Sequence, residues 1–206
     1  MYLLALILGS VLLPKAYTLR CHECVPTGVT ACTSTQKTCT GSDVCGSARV
    51  IQYLGGSEVA DVNAQSCTSS AECISGSINF GQSRTVVTTA CCSTDLCNGN
   101  PAPKPRVPAQ NGKKCYACDT QACNGLLNCL GDEDRCISGE VTTGGQAIRV
   151  KGCASASICS GSGSGQVAGI TTKISCCQGD LCNSARGIGV SLLLLVAPMV
   201  CFTLFS

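Results

Sequence analysis

The cysteines of this chain fall into two sets of ten with closely similar spacing, and this pattern constrains the fold more than any other feature. Each set opens with Cys-x-x-Cys, places its seventh member six positions after its sixth, and closes with the motif Cys-Cys-x-x-Asp-Leu-Cys-Asn. Such a doubled pattern indicates an internal repeat, with one cysteine-rich domain for each set. The first set is Cys21, Cys24, Cys32, Cys39, Cys45, Cys67, Cys73, Cys91, Cys92 and Cys97, and the second is Cys115, Cys118, Cys123, Cys129, Cys136, Cys153, Cys159, Cys176, Cys177 and Cys182.

The chain has 21 cysteines among 206 residues, and the one outside the two sets is Cys201. Cys201 lies in the apolar stretch 188–206, which contains no charged residue. The stretch 19–183 therefore holds all twenty cysteines of the two sets in 165 residues. A cysteine content of about 12% is typical of disulfide scaffolds exported to an oxidising compartment.

Two apolar segments flank the cysteine-rich part. Residues 1–18 are predicted to be a secretory signal peptide, with the small residues Ala16 and Thr18 before the expected cleavage site. The small residues at 183–185 and the apolar stretch after them predict a glycosylphosphatidylinositol anchor, with Asn183 as the attachment residue and 184–206 removed. A transmembrane segment is the alternative, but the nearest basic residue, Arg186, precedes the apolar stretch rather than marking a cytosolic side. We expect the protein at the extracellular face of the plasma membrane, with a secreted form as a further possibility.

Residues 99–114 separate the two cysteine sets. They carry four of the seven prolines and four basic residues, and they contain no acid and no cysteine, which predicts an extended linker. The flanking parts, 19–98 and 115–183, each contain four basic and six acidic residues. Because the net charge of 19–183 is zero, the whole-molecule basic field that nucleic-acid binding requires is excluded.

The segments between the cysteines have the periodicity of β-strands. Residues 49–54 and 136–143 are rich in β-branched side chains, and each run is followed by a Gly-Gly turn. Residues 19–183 show no sustained helical stripe. The sequence therefore predicts two small, all-β, disulfide-rich domains, whose cross-links supply much of the stability that so small a core lacks.

The Cys-x-x-Cys opening and the Cys-Cys-x-x-Asp-x-Cys-Asn closing resemble the urokinase receptor and lymphocyte-antigen family of three-finger domains, twice over, across residues 21–98 and 115–183. The resemblance implies two tandem three-finger domains, each a disulfide hub with three β-hairpin fingers, in a layout similar to the phospholipase-inhibitor gamma chains. Spacing alone does not choose among the pairings of ten cysteines. The resemblance implies Cys21–Cys45, Cys24–Cys32, Cys39–Cys67, Cys73–Cys91 and Cys92–Cys97, then Cys115–Cys136, Cys118–Cys123, Cys129–Cys153, Cys159–Cys176 and Cys177–Cys182.

Residues that could carry catalysis or bind a metal are few. His22, the single histidine, is interpreted as a strand residue beside the hub, because a catalytic base would need a nucleophile built around it. The acidic triplet 132–134 is interpreted as a solvated loop rather than a calcium site. The resemblance implies that the closing residues Asn98 and Asn183 tie down the hub through their amides. We expect no catalytic residue, no metal site and no cofactor.

A rigid hub that presents hairpins is a binding module, and binding energy concentrates on large aromatic side chains. Residues 19–183 contain three aromatic residues, and one of them, Tyr116, follows the first cysteine of its set. We therefore predict a binding surface for an extracellular protein on the second and third fingers of the first domain; the alternative is that these side chains pack between fingers. The predicted function is a lipid-anchored cell-surface protein-binding module, and an inhibitor of secreted phospholipases is the alternative. The predicted binding residues are Ile51, Tyr53, Leu54 and Phe80.

Overall fold

The computed structural model describes residues 18–26, 32–41, 43–119, 122–143, 146–161, 165–167 and 170–184. The predicted signal peptide up to residue 17, the predicted anchor signal from residue 185 and the Gly-Gly turn at 144–145 lie outside the described residues.

The described chain forms six β-hairpins, three from each cysteine set, which confirms the predicted all-β, disulfide-rich class. The strands of the first set are β1 (Arg20–Glu23), β2 (Thr35–Thr38), β3 (Val44–Leu54), β4 (Ser57–Thr68), β5 (Gly76–Asn79) and β6 (Ser83–Cys92). Those of the second set are β7 (Gln110–Ala117), β8 (Gly125–Leu130), β9 (Arg135–Thr143), β10 (Gln146–Ala154), β11 (Gly165–Val167) and β12 (Ile170–Cys177).

Helical structure in the described residues consists of a 3₁₀ turn, Ser70–Glu72, and a short helix, α1 (Ala156–Gly161). Neither was predicted from the sequence. No helix among these residues is long and apolar enough to cross a lipid bilayer.

The Gly-Gly turn between β3 and β4 matches its prediction. Gly55 and Gly56 have φ angles of 57° and 85°, in the left-handed region that a tight two-residue hairpin turn requires and that only glycine occupies without strain.

The chain divides into two compact units that do not coincide with the two cysteine sets. Unit 1 contains the described residues of Met1–Val50, Val62–Cys73 and Thr88–Lys104. Unit 2 contains those of Ile51–Asp61, Ile74–Val87 and Pro105–Ser206. The tip of the β3–β4 hairpin and the β5–β6 hairpin as far as Val87, both from the first cysteine set, therefore belong to the same unit as the second set.

Unit 1 is built around the first disulfide hub. Its core is the cluster of Cys21, Cys39 and Cys45, and all five disulfides of the first set lie in this unit. β1 pairs with β2 in antiparallel register, with Cys21 opposite Lys37. The five disulfides are Cys21–Cys45, Cys24–Cys32, Cys39–Cys67, Cys73–Cys91 and Cys92–Cys97.

The largest sheet of the described chain has the strand order β11-β12-β9-β10-β5-β6-β3-β4. Unit 2 contains the first five of these strands in full, together with a separate β7–β8 pair. Cys136 on β9 lies opposite Cys153 on β10, and on its far side β10 pairs with β5. A second disulfide hub and an aliphatic cluster form the core of this unit. Its five disulfides are Cys115–Cys136, Cys118–Cys123, Cys129–Cys153, Cys159–Cys176 and Cys177–Cys182. The ten pairs of the structure are the ones that the resemblance implies.

The segment predicted to be a linker is partly attached to its surroundings. The Asn100 carbonyl accepts a hydrogen bond from the Ser47 hydroxyl at 2.8 Å, and Ala102 is buried, with its carbonyl bonded to Arg49. β7 begins at Gln110, so the last five residues of the segment 99–114 are strand rather than extended coil.

The closing asparagine of each cysteine set binds the first strand to the rest of its hub. Asn98 is 3% exposed. Its Oδ1 accepts the His22 main-chain N–H at 2.9 Å, and its Nδ2 donates to the carbonyls of His22 and Gly46 at 3.0 and 2.9 Å. This amide satisfies three main-chain groups that would otherwise be buried without partners. Asn183, also 3% exposed, makes the equivalent bonds to Tyr116 N–H, Tyr116 O and Ile137 O.

The Asp-Leu pair of the closing motif holds the residue that precedes the first cysteine. Asp95 accepts the Arg20 main-chain N–H at 3.0 Å, and Leu96 donates its N–H to the Arg20 carbonyl at 2.6 Å. The bond from the Arg20 N–H, helped by the Arg20 guanidinium, lowers the pKa of Asp95 below its ordinary 3.8. Leu96 and Leu181 both adopt a positive φ, 55° and 56°. In the second set the equivalent bonds are Lys114 N–H to Asp180 and Leu181 N–H to the Lys114 carbonyl.

Candidate protein-binding groove

A groove of about 290 Å³ in unit 2 contains one of the predicted binding residues, Tyr53. Its walls come from three places in the chain: the β3–β4 tip, the β5–β6 hairpin, and β8 with the segment before β7. The hydrogen bond from the Gly55 N–H to the Gln82 carbonyl, at 2.8 Å, joins the first two walls. The groove is lined by Tyr53, Gly56, Asn79, Gly81, Gln82, Arg84, Val107, Leu127, Asn128 and Leu130.

The groove combines apolar and neutral polar side chains. Tyr53, Leu127 and Leu130 are partly buried, and Val107 is 86% exposed at the rim. The exposed carboxamides of Gln82 and Asn128 supply donors and acceptors, whereas Asn79 is 4% exposed and its amide is bonded to Glu133 and to the Gly81 N–H. Ligand sites commonly pair such an apolar surface with a few polar groups that fix orientation. The arrangement suits an uncharged apolar side chain with its peptide backbone.

Arg84, the charged residue among the described residues that line the groove, is paired beneath the surface. Its Nε donates to Glu133 Oε1 at 2.7 Å, and the Arg84 side chain is 13% exposed while that of Glu133 is fully buried. The pair cancels the charge of the guanidinium within the groove wall, so the groove offers little net charge to a ligand.

Glu133 corrects the interpretation of residues 132–134 as a solvated loop, because its side chain has no exposed surface. Burying a carboxylate is costly unless hydrogen bonds replace water, and four do so here. The nearest donor in sequence is the Leu130 N–H at 2.9 Å. The other three donors are 49 to 56 residues away in the chain: Ser77 Oγ at 2.9 Å, Asn79 Nδ2 at 3.1 Å and Arg84 Nε at 2.7 Å. An acidic triplet alone does not reveal such partners.

The four predicted binding residues occupy different environments. Tyr53 lines the groove, and its neighbour Leu54 is 57% exposed. Ile51 is fully buried and presents no surface to a partner in this structure. Phe80 is partly buried and packs against the aliphatic core of unit 2. The structure thus brings Tyr53, but not Phe80, to the groove, and binding by these residues stays a prediction.

The cysteines of the hubs bring several sulfur atoms close together. Cys21, Cys39 and Cys67 place their sulfurs within 4.8 Å of one another, as do Cys115, Cys129 and Cys153. All six are in disulfides, which have no thiolate to offer a metal ion. His22, beside the first hub, has its Nδ1 at 3.1 Å from the Ser34 hydroxyl.

Comparison with known proteins relates both cysteine sets to one domain family. The u-PAR/Ly-6 domain matches residues 17–100 and 111–185. The urokinase plasminogen activator surface receptor of Mus musculus is 33% identical over 126 residues, which cover 54% of this chain and 38% of the relative. The receptor of the same name from Rattus norvegicus is 32% identical over 143 residues, 61% of this chain and 43% of the relative. The chain therefore spans less than half the length of these relatives.

Among solved structures, mouse TEX101 matches over 72% of this chain and 88% of its own. The sequence identity is 16% and the TM-score is 0.30, which is too low to add to the fold assignment.

Proposed function

This chain belongs to the u-PAR/Ly-6 domain family, and from that premise we propose that it is a cell-surface, receptor-type module that binds an extracellular protein without catalysis. The observation that carries the proposal is the family match over both cysteine sets, together with relatives that are named surface receptors. We take residues 19–98 and 115–183 as its two domains. The boundaries of these domains differ from those of the two compact units, and the receptor proposal does not depend on that difference.

The Tyr53 groove is the best candidate for the binding site in the described residues. It joins an aromatic side chain to aliphatic neighbours, and large rings at the centre of an interface commonly supply much of the affinity. Three chain segments form its walls, so its shape depends on the fold rather than on one loop. A protein loop that inserts an apolar side chain there would be desolvated by Tyr53, Leu127 and Leu130.

Surface plasmon resonance with the mature chain tests this proposal. Urokinase plasminogen activator is the first probe, because the relatives are named as its surface receptors. We expect Tyr53→Ala to weaken binding by roughly thirtyfold, about 2 kcal/mol. Leu126→Ala is the matched control, since Leu126 is 67% exposed and does not line the groove. Equal affinities of the wild-type protein and Tyr53→Ala would move the site elsewhere.

We also propose that a glycosylphosphatidylinositol anchor holds the protein on the cell surface. The support is the charge-free stretch 188–206 and the small residues before it. Attachment at Asn183 would use its main-chain carboxyl group, so the three side-chain bonds of Asn183 could persist. Phosphatidylinositol-specific phospholipase C should release the protein from expressing cells, and retention of a protein that still contains residues 188–206 would indicate a spanning segment.

Inhibition of secreted phospholipases stays an alternative that rests on the two-domain layout alone. The same mature chain can be assayed against a secreted phospholipase A2. Stoichiometric inhibition combined with no release from cells by phosphatidylinositol-specific phospholipase C would favour this alternative over the receptor proposal.

A further inference from the structure

We infer that the two cysteine repeats are fastened together by a latch centred on buried Glu133, strongly enough that the chain stays in one piece when the segment between them is cut. The latch consists of Glu133 from the second repeat and Ser77, Asn79 and Arg84 from the first. All four lie within unit 2. The inference concerns how the chain is held together and does not depend on the identity of any ligand.

The first support is electrostatic. The Glu133 carboxylate accepts bonds from Ser77, Asn79 and Arg84 of the β5–β6 hairpin, and it is fully buried. If the hairpin left, the carboxylate would lose three of its four donors. Removing the partner of a buried ion pair is among the most destabilising changes that a protein interior can undergo.

The second support is a main-chain seam beside the latch. β5 pairs with β10 in antiparallel register, with Ile78 opposite Ala154 and Asn79 opposite Cys153. Ser155 continues the seam: its N–H donates to the Ser77 carbonyl at 3.0 Å, and its hydroxyl accepts the Ser77 N–H at 2.8 Å. The first repeat therefore contributes β5, and after it β6, β3 and β4, to the sheet that contains β9, β10 and β12.

Two glycines make the close approach at this seam possible. A Cβ atom on Gly152 would lie 2.0 Å from the Asn79 carbonyl oxygen, which is impossible without separating the strands. A Cβ atom on Gly76 would lie 2.6 Å from Ser157 Oγ and 3.0 Å from Ser155 Cβ. Each repeat thus has a glycine where the other repeat is closest.

The third support is a shared apolar core. Buried side chains of both repeats form a single cluster, so separating the repeats would expose apolar surface on each. The buried members are Ile78 of the first repeat and Ile137, Ala154 and Ile158 of the second. Partly buried side chains of both repeats pack against them: Ile74 and Phe80 of the first, and Cys159 and Ile174 of the second.

These contacts are non-covalent. Each of the ten disulfides among the described residues closes within one repeat, from Cys21–Cys45 in the first to Cys177–Cys182 in the second. Once the segment between the repeats is cut, non-covalent contacts, among them the latch, the seam and the core, hold them together.

The test is to cut that segment in the folded protein. A specific protease site replaces residues 103–106, the full chain is expressed in secretory cells, and the mature product is purified and cleaved to completion. Size-exclusion chromatography in native buffer should show one peak at the intact size. Denaturant without reductant should then separate the two parts, because no disulfide joins them.

Glu133→Gln tests the centre of the latch. It keeps the shape of the side chain but leaves Arg84 without its countercharge, and we expect the cleaved parts to bind each other at least about a hundredfold more weakly. Glu140→Gln is the matched control, because Glu140 is 58% exposed and its ion pair with Arg149 is long, at 3.9 Å. The cleaved control should remain a single peak.

Two results would overturn the inference. Separation of the cleaved wild-type parts in native buffer would show that the repeats are not fastened, and equal association of Glu133→Gln and Glu140→Gln would show that Glu133 is not the centre. If Glu133→Gln is not secreted, Gly152→Ala decides, because its methyl group acts first on the seam, at the Asn79 main chain, and removes no donor or acceptor of the carboxylate network. Cleaved Gly152→Ala should separate, and a single peak would contradict the inference.

Discussion

The hub asparagines provide a replacement whose effect on stability depends on pH in a defined direction. Asn98→Asp keeps the size of the side chain and its acceptor for the His22 N–H. It exchanges an NH₂ group that donates to two carbonyl oxygens, at 3.0 and 2.9 Å, for a carboxyl oxygen. The protonated carboxyl can still donate to one carbonyl, whereas the ionised carboxylate can donate to neither and faces two partial negative charges.

The magnitude follows from these contacts. In acid, one buried carbonyl loses its donor, which costs about 1–3 kcal/mol. Above the unfolded-state pKa, about 3.9, the folded state must retain a proton that the unfolded state releases. The pKa of the introduced carboxyl is therefore raised on folding, and the free energy of unfolding falls by about 1.4 kcal/mol per pH unit until the folded-state pKa is reached. At pH 7 this part of the loss has a ceiling of about 4 kcal/mol.

The assay is urea unfolding of the mature protein with its disulfides intact, followed by circular dichroism at pH 3, 5 and 7. Asn183→Asp should show the same pH dependence, because Asn183 makes the same three bonds. Asn100→Asp is the control, since Asn100 is exposed. A loss of stability at Asn98→Asp that is equal at pH 3 and pH 7 would refute the reasoning, as would a loss that is larger in acid.

Three further predictions concern the same protein. The pKa of Asp95 is lowered in the folded state, so its bond to Arg20 contributes stability that is present above the ordinary pKa of 3.8 and is lost as the pH falls through the folded-state pKa. Asp95→Asn should therefore reduce the acid dependence of the thermal midpoint, and an unchanged dependence would contradict this prediction. Trypsin should cut first after Arg106 rather than after Lys114, which lies in β7, whereas the bond after Lys104 resists trypsin because Pro105 follows it. Earliest fragments that begin inside β7, measured by mass spectrometry, would contradict this. The mature protein should be lighter than its fully reduced form by the 20 hydrogens of ten disulfides, and a thiol that reacts in the native protein would contradict it.

The features that the sequence determined are those recorded in short, repeated spacings. The doubled cysteine pattern and the closing motif were sufficient to predict two disulfide-rich β domains and, through the family resemblance, the hub amides of Asn98 and Asn183. A disulfide hub restricts the backbone conformation of the residues near its cysteines. Once the cysteines of the closing motif are paired, the asparagine that follows them is held next to the first strand. The Gly-Gly turn at 55–56 could also be predicted from the sequence, because a tight hairpin turn requires positive φ angles that glycine adopts readily.

The tertiary structure alone decided which hairpins pack together. Strand periodicity reports that one face of a strand is buried, and it does not report which neighbour covers that face. The sequence therefore contains no sign that β5 pairs with β10, that Phe80 packs against an aliphatic core shared by both repeats, or that Tyr53 lines a groove with residues of β8. Glu133 shows the physical reason most clearly: a carboxylate is solvated or buried according to whether donors are present, and three of its four donors arrive from 49 to 56 residues away.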